Sequence, residues 1–313
     1  MSLPSVVLRC DGVCKSYGSF SERHVLHQVT FEVRRGDVLA LVGPNGAGKT
    51  TLLHLIVGLL RPLRGRLEVF GSADVESQRG RMGYLPEKEN YPPRLTGREY
   101  LTHMARLSGL AASKIEATVG GVLEQFTLVD SADRFLCHCS AGLLKRFGLA
   151  AALIGEPDLL ILDEPVDNLD PQGQRLLPDL LKRFRNEGKT LILSTHHLES
   201  LRQYGDDLLV LCEGQVAYRG TLKDLQGEAT GYRIEFEGSP EVLEAVLKEL
   251  PPPCEPAPQG VWIPSLEGQL RRLVLQSALN LGLCPTRCQP VYADLGQRYE
   301  AILNRFRQRS SEA

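Results

Sequence analysis

The stretch Asp37–Gly43 (DVLALVG) runs straight into Gly43–Thr50 (GPNGAGKT), and TLLHLIVGLL follows from Thr51. No other feature restricts the fold as much. The first run is apolar almost without a break, as a strand buried on both faces of a parallel sheet must be. The second fits G-x-x-x-x-G-K-[ST], placed between a strand and a helix. Glycines there let successive backbone N–H groups turn inward around phosphate oxygens. The following helix aims the positive end of its dipole at the same point. Gly43, Pro44, Asn45, Gly46, Ala47, Gly48, Lys49, Thr50 and Thr51 are therefore candidate phosphate-binding residues. Lys49 supplies a point charge for the β and γ phosphates, and the Thr50 hydroxyl suits Mg²⁺.

Two further apolar runs, Asp158–Leu162 (DLLIL) and Thr190–Ser194 (TLILS), repeat the buried-strand pattern. Separated by helical stretches, they predict an α/β layer architecture. The first continues into Asp163 and Glu164. Adjacent carboxylates at a strand end are unfavourable without a cation or a water network. Asp163 is placed to hold Mg²⁺, directly or through water, and Glu164 to polarise a water for attack on a γ phosphate.

Around this centre, residues 1–36 alternate as antiparallel strands do, with Val29, Phe31 and Val33 on one face and Thr30 and Glu32 on the other. Asp206–Gly220 reads as a hairpin turning at Glu213-Gly214. From about Glu87 to Glu156 the period becomes helical, with Tyr100, Leu101, Met104 and Leu107, then Val122, Leu123 and Phe126. At roughly 100–200 residues per domain, 313 residues make about two domains. The boundary is expected near residue 225, giving a first domain 1–225 and a small α+β domain 226–313. In the latter, Tyr232–Gly238 and VWIP read as strands. Residues 240–250, Leu266–Leu283 and the segment from Tyr292 read as helices, and the tail RQRSSEA as frayed.

Lys plus Arg total 36 and Asp plus Glu 38, a net charge of −2 that argues against a polyanion-binding surface, so no nucleic acid is expected as a partner. There is no run of about 18 apolar residues and no charged-then-apolar leader pattern. The chain is thus expected to be cytoplasmic, with its eight cysteines as thiols. Neither Cys137 with Cys139 nor Cys284 with Cys288 has the spacing of a zinc site.

These residues carry a resemblance. The chain resembles the ATP-binding subunit of ABC transporters, a P-loop NTPase with an antiparallel β subdomain and a helical subdomain, and five further elements occur in that family's order. Tyr17 in KSYG resembles the aromatic that stacks on adenine. Glu87 in GYLPE stands where the family usually has Gln, touching metal and attacking water. Cys139–Leu143 (CSAGL) is similar to the signature LSGGQ, with Ser140 and Gly142 kept and Ala141 replacing a glycine. In the family this segment meets the γ phosphate held by the other subunit, and the Ala141 methyl would narrow that approach. Val166–Pro171 (VDNLDP) resembles the dimer-contact loop, with Asp170 as its carboxylate, and His196 the histidine that contacts the γ phosphate.

The resemblance implies ATP and Mg²⁺ as cofactors, with Glu164, His196 and Lys49 as catalytic residues. Tyr17, the phosphate loop, Glu87, Ser140, Gly142 and Asp170 would bind nucleotide, and Thr50, Asp163 and Glu87 the metal. It implies a second ATPase subunit, in a homodimer, and polytopic membrane permease subunits, with the chain peripheral on the inner face of the membrane. The Glu87 loop and the C-terminal domain look like those of drug, sodium and polysaccharide efflux ATPases and of the nitrous-oxide reductase maturation ATPase. Two other functions stay open: a soluble ABC ATPase acting on ribosomes or DNA, and a nucleotide-dependent regulator with low turnover, suggested by Ala141 and Glu87.

Overall fold

The structure is a computed structural model that describes residues 6–18, 23–88, 90–196, 207–227, 229–237, 254–257, 260–264, 268–292 and 294–312. It divides into two compact units, Met1–Leu222 with Phe306–Ala313, and Lys223–Arg305. The far end thus departs from the sequence-based limits, because the last turns of the final helix group with the first unit.

Among the described residues, the first unit carries two sheets. Six strands lie side by side in the order β5 (Met82–Leu85), β6 (Leu159–Leu162), β7 (Thr190–Thr195), β3 (Val38–Val42), β8 (Asp207–Cys212) and β9 (Gln215–Thr221). The first five are parallel, and β9 closes the edge antiparallel. Every residue of β3, β6 and β7 is buried, as their unbroken apolar character requires. A three-stranded antiparallel sheet follows the order β2 (Arg23–Arg34), β1 (Val6–Tyr17), β4 (Arg64–Val69). Val29, Phe31 and Val33 of β2 turn inward, while Thr30 and Glu32 are exposed. These side chains share one core with Leu39 and Leu41 of β3 and with Leu52, Leu53, Leu55 and Ile56 of α1 (Lys49–Ile56). Each such buried side chain contributes about 1.5–3 kcal/mol, so α1 is held at the mouth of β3 by a wide apolar seat.

Between β5 and β6 lie α2 (Gly97–Leu107), α3 (Ala112–Gln125) and α4 (Ala141–Leu153). A capping box starts α2: Glu99 N–H donates to Thr96 Oγ1 at 3.2 Å, and Thr96 N–H to Glu99 Oε2 at 2.8 Å. Gly97 is required there, since a Cβ would stand 2.2 Å from Phe147 Cζ in the middle of α4. Leu101 is buried, but Leu107, which shares its spacing, is 80% exposed in the last turn. The helix α5 (Pro171–Asn186) leads from β6 to β7. The β8–β9 turn has Glu213 at φ 48° and Gly214 at φ 77°, the left-handed pair of a tight hairpin.

The second unit has a four-stranded antiparallel sheet in the order β11 (Glu255–Ala257), β12 (Gly260–Ile263), β10 (Ala229–Glu237), β13 (Cys284–Tyr292). The short helix α6 (Leu222–Gln226) leads into it. Ile234, Phe236, Val261 and Ile263 form its core with Val274 and Ala278 of α7 (Gly268–Asn280). The helix expected at 240–250 lies outside the described residues. Tyr292 ends a strand rather than opening a helix, and α8 runs from Leu295 to Glu312, so the tail expected to fray is helical through Glu312.

Candidate active site

The glycines act first. The chain leaves β3, turns, and enters α1 through Gly46 at φ 81° and Gly48 at φ 101°, with Gly48 as N-cap. Left-handed backbone of this kind costs an L-residue about 1–2 kcal/mol. Gly43 is needed for a different reason, because a Cβ there would stand 2.2 Å from Leu211 O on β8. The β8–β9 turn then grips the loop. Gly214 N–H donates to Ala47 O at 3.1 Å, and Gly214 O accepts His27 N–H at 2.8 Å.

Lys49 is nearly buried and folds back over this loop, donating to Gly43 O at 2.7 Å, with Glu164 Oε1 3.7 Å away. Glu164 follows β6 in left-handed backbone, φ 45°, with its N–H bonded to Ser194 Oγ at 2.9 Å. Positive φ at a bulky residue is strain, which collects at functional sites. Here it aims the carboxylate past the ends of the parallel strands. His196, just beyond β7, reaches the same carboxylate twice: its N–H lies 3.3 Å from Oε2 and its Nδ1 3.1 Å from Oε1. Thus Lys49, Glu164 and His196 form one contact chain.

Asp163 is fully buried. Its Oδ1 accepts a short hydrogen bond from Ser194 Oγ, while Oδ2 has no partner. An unpaired buried carboxylate oxygen is costly, and a cation or its water is the chemistry that fits it.

A cavity of about 590 Å³ opens over these groups, lined by Asn45 to Thr51, Glu87, Glu164, Asp167 and His196, with His24, Val25, His27, Glu213 and Gly214 completing the wall. Tyr17 stands beside it, 42% exposed, its Oη 3.4 Å from Thr51 Oγ1. Gly43 and Pro44 instead offer their carbonyls to Lys49.

Ser140, Gly142 and Asp170 assemble elsewhere in the unit. Ser140 caps α4, its Oγ accepting Leu143 N–H at 3.3 Å. A Cβ at Gly142 would meet Asp170 N at 2.8 Å, so the signature turn and the start of α5 touch through backbone. Both Asp170 carboxylate oxygens are engaged within the chain: Oδ1 accepts Gly173 N–H at 2.9 Å, and Oδ2 lies 2.9 Å from Arg146 Nη2.

Sequence reasoning missed several participants. Asp167 joins Glu164 and His196, with one ligand atom of each within 4.8 Å of the others. Ser194 orients both carboxylate residues after β6. Lys145, buried in α4, donates to Pro86 O at 3.3 Å and Glu87 O at 3.5 Å, holding the Glu87 loop to the signature helix. Arg146 also donates to Phe126 O and Thr127 O, both at 3.1 Å. Asp167 sits in the quoted VDNLDP segment, and Lys145 and Arg146 are charges on an otherwise apolar helix. Those are the signals that could have found them.

Fold and site together define a P-loop nucleotide-binding protein of the α/β class. Comparison with known proteins narrows this. The family model described as ABC transporter matches residues 26–167. The ABC transporter ATP-binding protein YxlF of Bacillus subtilis is 34% identical over 247 residues, covering 78% of this chain and 81% of its own. The Nod factor export ATP-binding protein I of Bradyrhizobium diazoefficiens is 36% identical over 237 residues, covering 75% and 76%. A solved ATP-binding subunit of an ABC transporter superposes with a TM-score of 0.64 at 33% identity, covering 70% of this chain and 92% of that one. The chain belongs to the family of ABC transporter ATP-binding subunits, and it is an ATPase of the P-loop type. No helix among the described residues is long and apolar enough to cross a membrane.

Proposed function

We propose that this chain hydrolyses Mg·ATP between two copies of itself and so powers export through separate polytopic membrane subunits, on whose inner face it sits. The observation that carries the chemistry is the contact chain Lys49–Glu164–His196 over the phosphate loop. The loop amides from Asn45 to Thr51 hold the phosphates, and Tyr17 lies against the base. Thr50 and Asp163 hold the metal, with Glu87 reaching its water, and the unpaired Asp163 Oδ2 fits that task. When bound, Mg²⁺ neutralises charge on the β and γ phosphates.

Glu164 accepts the proton of the attacking water as the new O–P bond forms and the bond to the ADP oxygen breaks. Lys49 and the loop amides stabilise the charge that moves onto that oxygen. His196 fixes the Glu164 carboxylate. Ser140 and Gly142, distant from their own cavity lining, act on the nucleotide held by the second copy, and Asp170 holds that segment in shape. Export follows from the similarity to the Nod factor export protein.

Glu164→Gln tests the reading. Turnover is expected to fall about 10²–10⁴-fold, while ATP binding persists and ATP drives a monomer-to-dimer shift in light scattering. Mild-detergent purification from membranes is expected to recover a polytopic partner. Unchanged turnover in the variant would overturn the assignment of the base. Absence of any polytopic partner would overturn the transport coupling.

A further inference from the structure

One polar atom at the metal corner has no role in the chemistry above. Tyr84 Oη is buried and, like Asp163 Oδ2, makes no hydrogen bond. The two belong to neighbouring strands. Tyr84 on β5 pairs in register with Ile161 on β6, and Asp163 N–H continues the ladder by donating to Leu85 O at 2.8 Å. Side chains two apart on a strand share a face, so Asp163 lies on the Ile161 face, where Tyr84 also packs into the core. That face is covered by α1, and the Tyr84 ring meets His54 of α1 edge-on at 6.1 Å. Glu87, three residues along from Tyr84, lines the cavity. Burial pushes the Tyr84 phenol well above its usual range, and the negative charges of Asp163 and Glu87 push it further. The hydroxyl is therefore neutral, with a proton to donate.

An unsatisfied buried hydroxyl costs about 1–3 kcal/mol, and phenylalanine would fill the same space without that cost. A water between the hydroxyl and the carboxylate removes the penalty for both groups, since such a water needs two or more polar partners. We propose that Tyr84 is a positioning residue of the metal corner: its hydroxyl donates to a water shared with Asp163 Oδ2 and so orders the water shell of the divalent cation bound with the nucleotide. This rests on the reading of Asp163 and Thr50 as the metal-holding pair. Residues outside a metal's own ligands commonly orient it in this way.

The test is a Mg²⁺ titration at fixed adenylyl imidodiphosphate, read by the thermal midpoint of the full chain, for wild type and Tyr84→Phe, with Asp163→Asn as the control for the metal. Without nucleotide, Tyr84→Phe is expected to melt at the wild-type temperature or above it. Its Mg²⁺ half-saturation is expected to rise about three- to tenfold, the worth of one neutral hydrogen bond. A variant that melts lower without nucleotide yet keeps the wild-type Mg²⁺ titration has lost only packing, and overturns the proposal. So does an unchanged titration at an unchanged melting point. A wild type whose midpoint does not respond to Mg²⁺ would overturn the metal reading along with the proposal. A wild type that responds, with Asp163→Asn abolishing the response and Tyr84→Phe leaving it whole, overturns the Tyr84 role alone.

Discussion

The phosphate corner and the signature corner each carry an aspartate beside a strand or helix end, and they treat its carboxylate in opposite ways. At the phosphate corner, Asp163 Oδ2 and Tyr84 Oη are buried without partners, and Glu164 is held in left-handed backbone. At the signature corner, Ser140 caps its own helix and Asp170 uses both oxygens, one on α5 and one on Arg146. The first corner leaves hydrogen-bonding capacity unmet, as the proposed nucleotide and metal site would require. The second engages its carboxylate within the chain, with Lys145 bonded to the Glu87 loop and Arg146 to Asp170 at the start of α5, while Arg146 Nε is buried there without a partner. Under the proposed function, the corner that holds the chain's own nucleotide and the corner that meets the second copy's are thus separate parts of one unit. Mutations should separate them as well.

Of the changes that compare the two corners, Lys49→Ala is expected to have the largest effect. It removes the charge over the phosphate loop and should lower ATP turnover by about 10²–10³-fold or more, measured as steady-state phosphate release. Unchanged turnover would break the assignment of the phosphate corner. Next is Arg146→Met, which strands the Asp170 carboxylate. Arg146 is buried but Asp170 is 29% exposed, so the loss is expected to fall below the ~3–5 kcal/mol of a fully buried pair, visible as a lower denaturant midpoint. ATP affinity of the variant that remains folded should stay near wild type, because no atom of Arg146 lines the cavity. Equal losses of stability and ATP affinity would show that the two corners are not separate. The smallest effect is expected from Ala141→Gly at the exposed first residue of α4. It should cost up to about 1 kcal/mol of stability and leave ATP affinity alone. It should raise turnover a few-fold by removing the methyl, read as phosphate release per chain at saturating ATP.

The two corners also differ in how far they could be read in advance. The phosphate loop is legible because its geometry is local: Gly46 and Gly48 are glycines for a backbone reason, and the strand before them and the helix after them are adjacent in the chain. The capping box of α2 and the turn at Glu213-Gly214 are local in the same sense. The strands β4 and β13 escape a pattern-based reading because RGRLEV is half charged and CPTRCQPVY carries two prolines. Their pairing with β1 and β10 supplies what their own composition lacks. The places of Ser194 beside Asp163, of Lys145 beside the Glu87 loop and of Tyr84 beside β6 were not legible, since each meets residues brought close by the fold.

The sequence alone therefore determined that the chain would hold phosphate after a buried parallel strand, place two carboxylates at a second strand end and belong to the ABC ATPase class. The first two are statements about glycine backbone freedom and apolar runs, which short stretches of chain carry in full, and the third rests on the resemblance of the motifs to that family. Only the tertiary structure decided the strand order β5-β6-β7-β3-β8-β9. That order sets Glu164 between Lys49 and His196, puts Tyr84 next to Asp163, and sends Ser140 and Asp170 to a separate corner. Sheet pairing joins residues tens to more than a hundred positions apart, and no local propensity encodes which partner wins. The winner is the arrangement that buries all the apolar strand faces at once.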